Sequence, residues 1–317
     1  MSSLRVVAGI DGGSTKTRVQ LRCAQTLTLV AEAQREGSTN LYQHGARGPE
    51  AVAALLDSLL SDCMDATHTL VAAVVGTAGI DAHGDADRHL AAYRQSEALR
   101  PLGPMLRVYS DVAPIDACGT HDHRVCVIAG TGSNTLAIRR REGQVIARHQ
   151  VGGMDLALSD DGSAAWIGHH AMRASLRALQ GVEPSALGEA LLQHFQLPAD
   201  IHEPWRALRE VRLAISKADL AALTERIVVP LSEYDDVARA LLIRAGDALA
   251  SDILAAGRAI EAPARLEVLA VGGVWSSDLI RARATQHVVA RHPDATLKRV
   301  DAATGAARLA QQLLDPS

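Results

Sequence analysis

Aromatic side chains are scarce in this chain of 317 residues, which has three tryptophans, four tyrosines and one phenylalanine. The core must therefore be built from Leu, Val, Ile and Ala, and the interleaved aromatic and basic residues on which single-stranded nucleic acids stack are missing. An excess of one charge is lacking too: 32 basic residues face 36 acidic ones, for a net charge of −4. Such a balance gives no electrostatic footprint for nucleic acid, and none is expected as a partner. No apolar stretch approaches the ~20 residues of a membrane span, and the N-terminus lacks a signal peptide's long apolar stretch. The expectation is a soluble cytoplasmic protein with no membrane partner. The four cysteines, Cys23, Cys63, Cys118 and Cys126, form no Cys-x-x-Cys pair. A zinc or redox dithiol motif is thereby excluded, and all four read as reduced and mostly buried.

What is present is a folded composition, 48% apolar and 21% charged, on a chain longer than one hydrophobic core usually supports. Two domains with a ligand-collecting cleft between them is the natural expectation. Val6 to Ile10 and Arg18 to Cys23 read as a hairpin bent at glycine, followed by a strand from about Leu27 to Ala33 and a polar loop at Glu36–Asn40. Pro49 to Asp65 has apolar residues at helical spacing with proline suited to the first turn. A buried strand (Leu70 to Val75), a helix (Asp85 to Leu99) and a strand (Leu106 to Tyr109) follow. The opening pattern then recurs as strand, glycine turn and strand over Val125 to Ile138. After Gly152-Gly153 the chain turns predominantly helical, starting with Ser163 to Leu179, and several prolines punctuate this region. A strand at Leu266 to Val271, a helix from near Ser276 with Ser276 or Ser277 as its cap, a strand at Thr296 to Val300 and a helix at Gly305 to Leu314 close an α/β pattern.

Three glycine turns, each directly after an apolar strand, carry the chemistry: Asp11-Gly12-Gly13-Ser14-Thr15-Lys16, Gly130-Thr131-Gly132-Ser133-Asn134 and Gly272-Gly273-Val274-Trp275. Glycine lets backbone N–H groups approach a phosphate closely. None of the three is a Walker A loop or a dinucleotide fingerprint, so a different nucleotide fold is required. Taken singly, each glycine pair could equally serve a tight turn.

In order and spacing, "GIDGGSTKT", "VIAGTGSNT" and "VLAVGGV" resemble the two phosphate segments and the adenosine segment of the actin, Hsp70 and hexokinase superfamily. More closely, the chain resembles the N-acetylglucosamine kinase branch grouped with the BadF/BadG/BcrA/BcrD ATPases. Ser38-Thr39-Asn40, Asp111 and the stretch Ser159 to Gly168 match that branch's sugar loop, strand-end aspartate and G-D-E-G-S-x-x-W-I-G motif. The resemblance implies two actin-like (ribonuclease H-like) domains flanking an ATP cleft, divided at 1–117 and 118–317, with the last helix able to pack back on the first domain. It implies ATP and Mg²⁺ as cofactors, an amino sugar as substrate, and a homodimer. Phosphate contacts would come from Gly12, Gly13, Ser14, Thr15, Lys16, Gly130, Thr131, Gly132 and Ser133, and adenosine contacts from Gly272 and Gly273.

Asp11, at a strand end, is suited to a Mg²⁺-bound water, and the resemblance implies that role. Asp111 sits where open α/β sheets place ligand-binding residues. The resemblance makes it the catalytic base, with Asp116 as rival and helix capping as the alternative role. Sugar contacts would come from Asn40, whose amide both donates and accepts, and from Thr39, Ser38, Asp160, Gly153 and Thr131. Three positions depart from the branch: Met154 and Asp155 in its G-G-W-G loop, and Asp161 where glutamate is usual. Trp166 and Ile167 read as core, and the adjacent His169 and His170 make a poor metal pair. N-acetylglucosamine phosphorylated at O6 is the leading expectation, with glucosamine or N-acetylmuramic acid as other acceptors. Cys126 near the second glycine turn leaves open an ATPase activator of a 2-hydroxyacyl-CoA dehydratase. A sugar-sensing repressor would need a DNA-reading helix pair or zinc loop, and neither motif occurs.

Overall fold

The computed structural model of the protein describes residues 3–13, 15–80, 83–197 and 204–314. Ser14 lies outside the described residues. The chain divides into two compact units, one running up to Thr120 and resuming at Val300, the other spanning His121–Arg299.

The first unit opens with three antiparallel strands, β1 (Leu4–Gly12), β2 (Lys16–Cys23) and β3 (Leu29–Glu36). Helix α1 (Gly48–Cys63) leads to β4 (His68–Thr77), which pairs parallel with β1. Helix α2 (Asp85–Tyr93), β5 (Leu106–Ser110) and the short α3 (Val112–Asp116) complete this stretch. The sheet order is β3-β2-β1-β4-β5. As the central strand, β1 must be apolar on both faces. Val6, Ala8 and Ile10 pack with Val52, Leu56, Leu59 and Leu60 of α1, whereas Val7 joins Ala72 and Val74 of β4 in a second cluster.

In the second unit, β6 (His123–Ala129), β7 (Ser133–Arg141) and β8 (Gln144–Gly152) again form an antiparallel meander. Helices α4 (Ala164–Leu179), α5 (Leu187–His194), α6 (Pro204–Ala214), α7 (Lys217–Leu223), α8 (Val229–Leu231) and α9 (Asp236–Ala259) follow. Strand β9 (Glu267–Val271) pairs parallel with β6, and after α10 (Asp278–Arg291) β10 (Thr296–Arg299) pairs parallel with β9. The order β10-β9-β6-β7-β8 repeats the topology of the first sheet. The largest apolar cluster joins β6 and β9 to one face of α9, including Leu242, Leu249 and Ile253. Helix α11 (Ala302–Gln312), capped by Asp301, returns the chain to the first unit. There Ala306, Ala307 and Ala310 pack against Val7, Ala72 and Val74.

Three expectations need correction. The helix from Asp85 stops at Tyr93 because the Asp57 carboxylate captures Ser96 Oγ (2.5 Å) and the N–H groups of Glu97 and Ala98 (both 3.1 Å), which turns the chain. The helix after the third glycine turn begins at Asp278 rather than near Ser276, because a 3₁₀ turn occupies Gly273–Ser276; its cap is Ser277, one of the two serines expected there. Strand β8 is an additional element; it is a sheet-edge strand whose Gln, Arg and His content hides the alternation. None of the four cysteines is in a disulfide; Cys63 and Cys126 are buried and Cys23 and Cys118 half-buried.

Candidate active site

In the first unit the candidate residues gather at the carboxyl ends of β1, β4 and β5. Asp11 pairs with Gly76 and Gly12 with Thr77 across β1 and β4, and Thr77 pairs with Ser110 of β5. The backbone N–H of Asp111 donates to Thr77 O at 3.0 Å, so Asp111 continues the same edge. Asp111 occupies the N-cap position of α3 but makes no side-chain capping bond, leaving the capping role unfilled. Its rival Asp116 is buried at the far end of that helix.

The Asp11 carboxyl is pushed up to about 7, first by burial and then by the negative charges of Asp111 and Asp301, with Arg18 pulling the other way. Asp301 was not legible as a site residue. It caps α11 through Thr304 N and accepts from Arg18 Nη1 at 2.9 Å and Gln20 Nε2 at 3.0 Å. Only the duplicated topology, which delivers α11 beside β1 and β2, could have revealed it.

The sugar-loop residues lie beside this edge. A Cβ on Gly12 would stand 1.8 Å from Thr39 Oγ1, so glycine is required for the approach. Thr39 is fully buried and shares a 2.8 Å hydrogen bond with Thr77 Oγ1, while Ser38 Oγ accepts from Asn40 N–H. Both hydroxyls thus shape the loop. Three aromatic-ring side chains hold it from outside: Tyr93 OH donates to Thr39 O at 2.9 Å, His44 Nε2 donates to Ser38 O at 2.7 Å, and His89 Nε2 accepts from Leu41 N–H. The Asn40 amide is half-buried, with Oδ1 accepting from Tyr42 N–H. In the glycine turn, Gly13 N–H donates to Lys16 O and Thr15 O accepts from Gly37 N–H. The Thr15 and Lys16 side chains are exposed.

In the second unit two glycine turns meet. A Cβ on Gly272, whose φ is +112°, would stand 2.1 Å from Ala129 O and 2.9 Å from Gly130 N. Nothing lies within 4 Å of the corresponding point on Gly130 or Gly273, which leaves their backbone approachable. The carbonyls of Gly130 and Thr131 accept from Ala164 and Ala165 N–H at the start of α4, and Ser133 Oγ donates to Asp161 O. Asp160 is 3% exposed, and its Oδ2 accepts from Lys217 Nζ at 2.5 Å. Lys217 Nζ also donates to Asp155 Oδ1 at 2.8 Å. Gly153 is exposed, with Asn134 Oδ1 2.8 Å from its Cβ position. Burial and the charge of Asp161 push the neighbouring Asp252 carboxyl up to about 6. Trp166 is part of the α4 packing and Ile167 is fully buried in the core.

Among the described residues no three His, Cys, Asp or Glu side chains are grouped to hold a metal ion. Burial and the charges of Asp111 and Asp301 disfavour a further negative charge at Asp11, and a bound cation would relieve that. Asp11 therefore fits the single-carboxylate, water-mediated binding typical of Mg²⁺, which keeps several waters and leans on substrate phosphates. No described helix is long and apolar enough to cross a membrane.

Two sheets of identical strand order, each with a glycine turn between its first two strands, define the actin-like fold of two-domain sugar kinases. The chain belongs to the BadF/BadG/BcrA/BcrD ATPase family, whose model matches residues 8–310. A protein from Chromobacterium violaceum provisionally designated N-acetylglucosamine kinase superposes with a TM-score of 0.69 at 24% identity, covering 98% of this chain and 99% of that one. Its counterpart from Porphyromonas gingivalis gives 0.68 at 20% identity, with 99% and 100% coverage. A ROK family glucokinase from Streptomyces griseus, solved with glucose and AMPPNP, gives 0.63 at 15% identity, with 97% and 99% coverage.

Proposed function

We propose that this protein is an ATP-dependent kinase that phosphorylates a hydroxyl of an amino sugar, N-acetylglucosamine at O6 in the first instance. One observation supports the reading: Asp111 continues the sheet edge that carries Asp11, and Thr77 on that edge is hydrogen-bonded to Thr39 of the loop that contains Asn40. Asn40 and Asp160 bind sugar hydroxyls, while Ser38 and Thr39 shape the loop. Asp111 accepts the proton of the acceptor hydroxyl as its oxygen attacks the γ-phosphorus and the bond to the leaving ADP oxygen breaks. Backbone N–H groups of the glycine turns at Gly12-Gly13 and Gly130–Ser133 bind phosphate oxygens, and Gly272-Gly273 supports the nucleoside. Asp11 would be the residue to hold Mg²⁺, which when bound would supply positive charge to the phosphates. The designations of the two bacterial relatives support N-acetylglucosamine over other acceptors. Cys126 is fully buried within β6, which argues against the cluster-bearing activator.

A coupled ADP-release assay with Mg²⁺, ATP and N-acetylglucosamine, glucosamine and N-acetylmuramic acid in turn tests the proposal, with NMR of the product locating the phosphate. Sugar-dependent ADP release is expected. Absence of stimulation by every amino sugar would sink the kinase reading.

A further inference from the structure

Lysine occurs three times in the chain, at 16, 217 and 298, and Lys217 is the one joined to a candidate sugar residue. It occupies the first position of α7, a start fixed by a reciprocal capping box between Ser216 and Asp219. Helix α7 is in turn seated on α4: a Cβ on Gly168 would stand 1.9 Å from Leu220 O, and Thr224 Oγ1 donates to Ala164 O at 2.7 Å. Because the first residues of α4 also donate to the carbonyls of Gly130 and Thr131, Lys217 and the glycine turn share one support.

From that support, the Lys217 ammonium reaches a carboxylate that would otherwise be buried without a partner. Asp160 is 3% exposed, and Lys217 takes its Oδ2. Among the described residues no other hydrogen bond reaches the Asp160 side chain, so Oδ1 remains an acceptor. An ammonium carries three donors. Lys217 spends one on Asp160 and one on Asp155, and with its side chain 36% exposed it has a third to offer. Burial alone would lower its pKa, but the bonds to Asp155 and Asp160 outweigh that and hold the ammonium charged.

The second partner is unusual in conformation. Asp155 has φ +91°, a region that costs a residue with a side chain on the order of 1 kcal/mol or more and in which strain collects at functional sites. Its carboxylate is 66% exposed, so burial does not compensate. Its carbonyl accepts the N–H groups of Leu158, Ser159 and Asp160, which holds the turn, and its carboxylate adds the second tether on Lys217.

Resting on the kinase reading above, we infer that Lys217 is a substrate-positioning and specificity-determining residue. It fixes the Asp160 carboxylate with one oxygen turned to substrate and presents its own third N–H alongside. The resulting acceptor and donor pair suits two adjacent sugar oxygens. Asp155 holds the ammonium in line.

Steady-state kinetics and calorimetry on the full chain, with N-acetylglucosamine, glucosamine and monodeoxy analogues of each, test the inference. Lys217→Met is expected to raise the sugar KM and Kd at least tenfold with a smaller change in kcat and an unchanged KM for ATP, and Lys217→Arg to recover most of the loss. One monodeoxy analogue that binds wild type weakly should suffer no further loss in Lys217→Met, because the contact it lacks is already gone. Asp155→Gly relieves the backbone, so its thermal stability is expected to hold while its sugar KM rises a few-fold. A sugar Kd within twofold of wild type in Lys217→Met, or monodeoxy penalties that persist undiminished in that variant, would overturn the inference. A wild-type protein that binds sugar but releases no ADP removes the kinase reading and leaves Lys217 to be judged on Kd alone. Absence of sugar binding by wild type overturns both.

Discussion

At the scale of single residues, two aspartates on one sheet edge have opposite relations to charge. Asp111 is proposed to take a proton from the acceptor hydroxyl, so Asp111→Asn removes the base but keeps the shape. A positioned base typically contributes about 10²- to 10⁴-fold, and kcat is expected to fall by that much with the sugar KM within a few-fold of wild type. Near-normal turnover would take Asp111 out of the role. Asp11 has a cost in the free protein, because its carboxyl is raised from 3.8 to about 7, chiefly by burial. Below pH 4 the group is protonated folded and unfolded, and it contributes no difference. As pH rises toward 7 the unfolded chain ionises first, so stability is lost across that window and the loss is constant above it. About three pKa units bound the penalty at on the order of 4 kcal/mol. In metal-free buffer, Asp11→Asn is therefore expected to be more stable than wild type at pH 8, with the advantage shrinking toward pH 4. A urea-midpoint difference that does not vary with pH would refute this.

At the scale of elements, close approach decides what a glycine is for. Gly168 lets α7 lie against α4, and its missing Cβ would meet the Leu220 carbonyl at 1.9 Å, whereas Gly273 faces open space. Overpacking of this kind costs typically about 1–3 kcal/mol. Gly168→Ala is expected to lower the melting temperature by several degrees while Gly273→Ala leaves it nearly unchanged, as differential scanning fluorimetry would report. Equal shifts in the two variants would refute the packing account. Central elements such as β1, β4, β6 and β9 were legible because they carry apolar runs that end at glycine, and the strand-end positions of Asp11 and Asp111 were legible because each directly follows a strand pattern. Strand β8 was not, since an edge strand need bury only part of one face. Lys217 and Asp301 were equally hidden, as their roles depend on chain segments 57 residues from Asp160 and 283 from Arg18. No local pattern encodes a pairing of that range.

At the scale of the whole molecule, the chain builds the same sheet twice and closes the first copy last. Strands β1 and β4 present Val7, Ala72 and Val74 to a layer in which Ala306, Ala307 and Ala310 of α11 join Ala24. The small side chains allow the helix to lie close, and they leave no room for a charge. Ala307→Glu would bury a carboxylate at a fully buried position without a partner provided for it, which costs several kcal/mol unless the helix detaches. The core of the second unit, centred on β6, β9 and α9, contains none of these residues. Amide hydrogen exchange on Ala307→Glu is therefore expected to show protection lost across β1, β4 and α11 but retained in β6, β9 and α9, because opening follows cooperative structural units. Loss spread evenly over both sheets would mean that the molecule opens as one unit, and the second sheet would then depend on α11 as much as the first does.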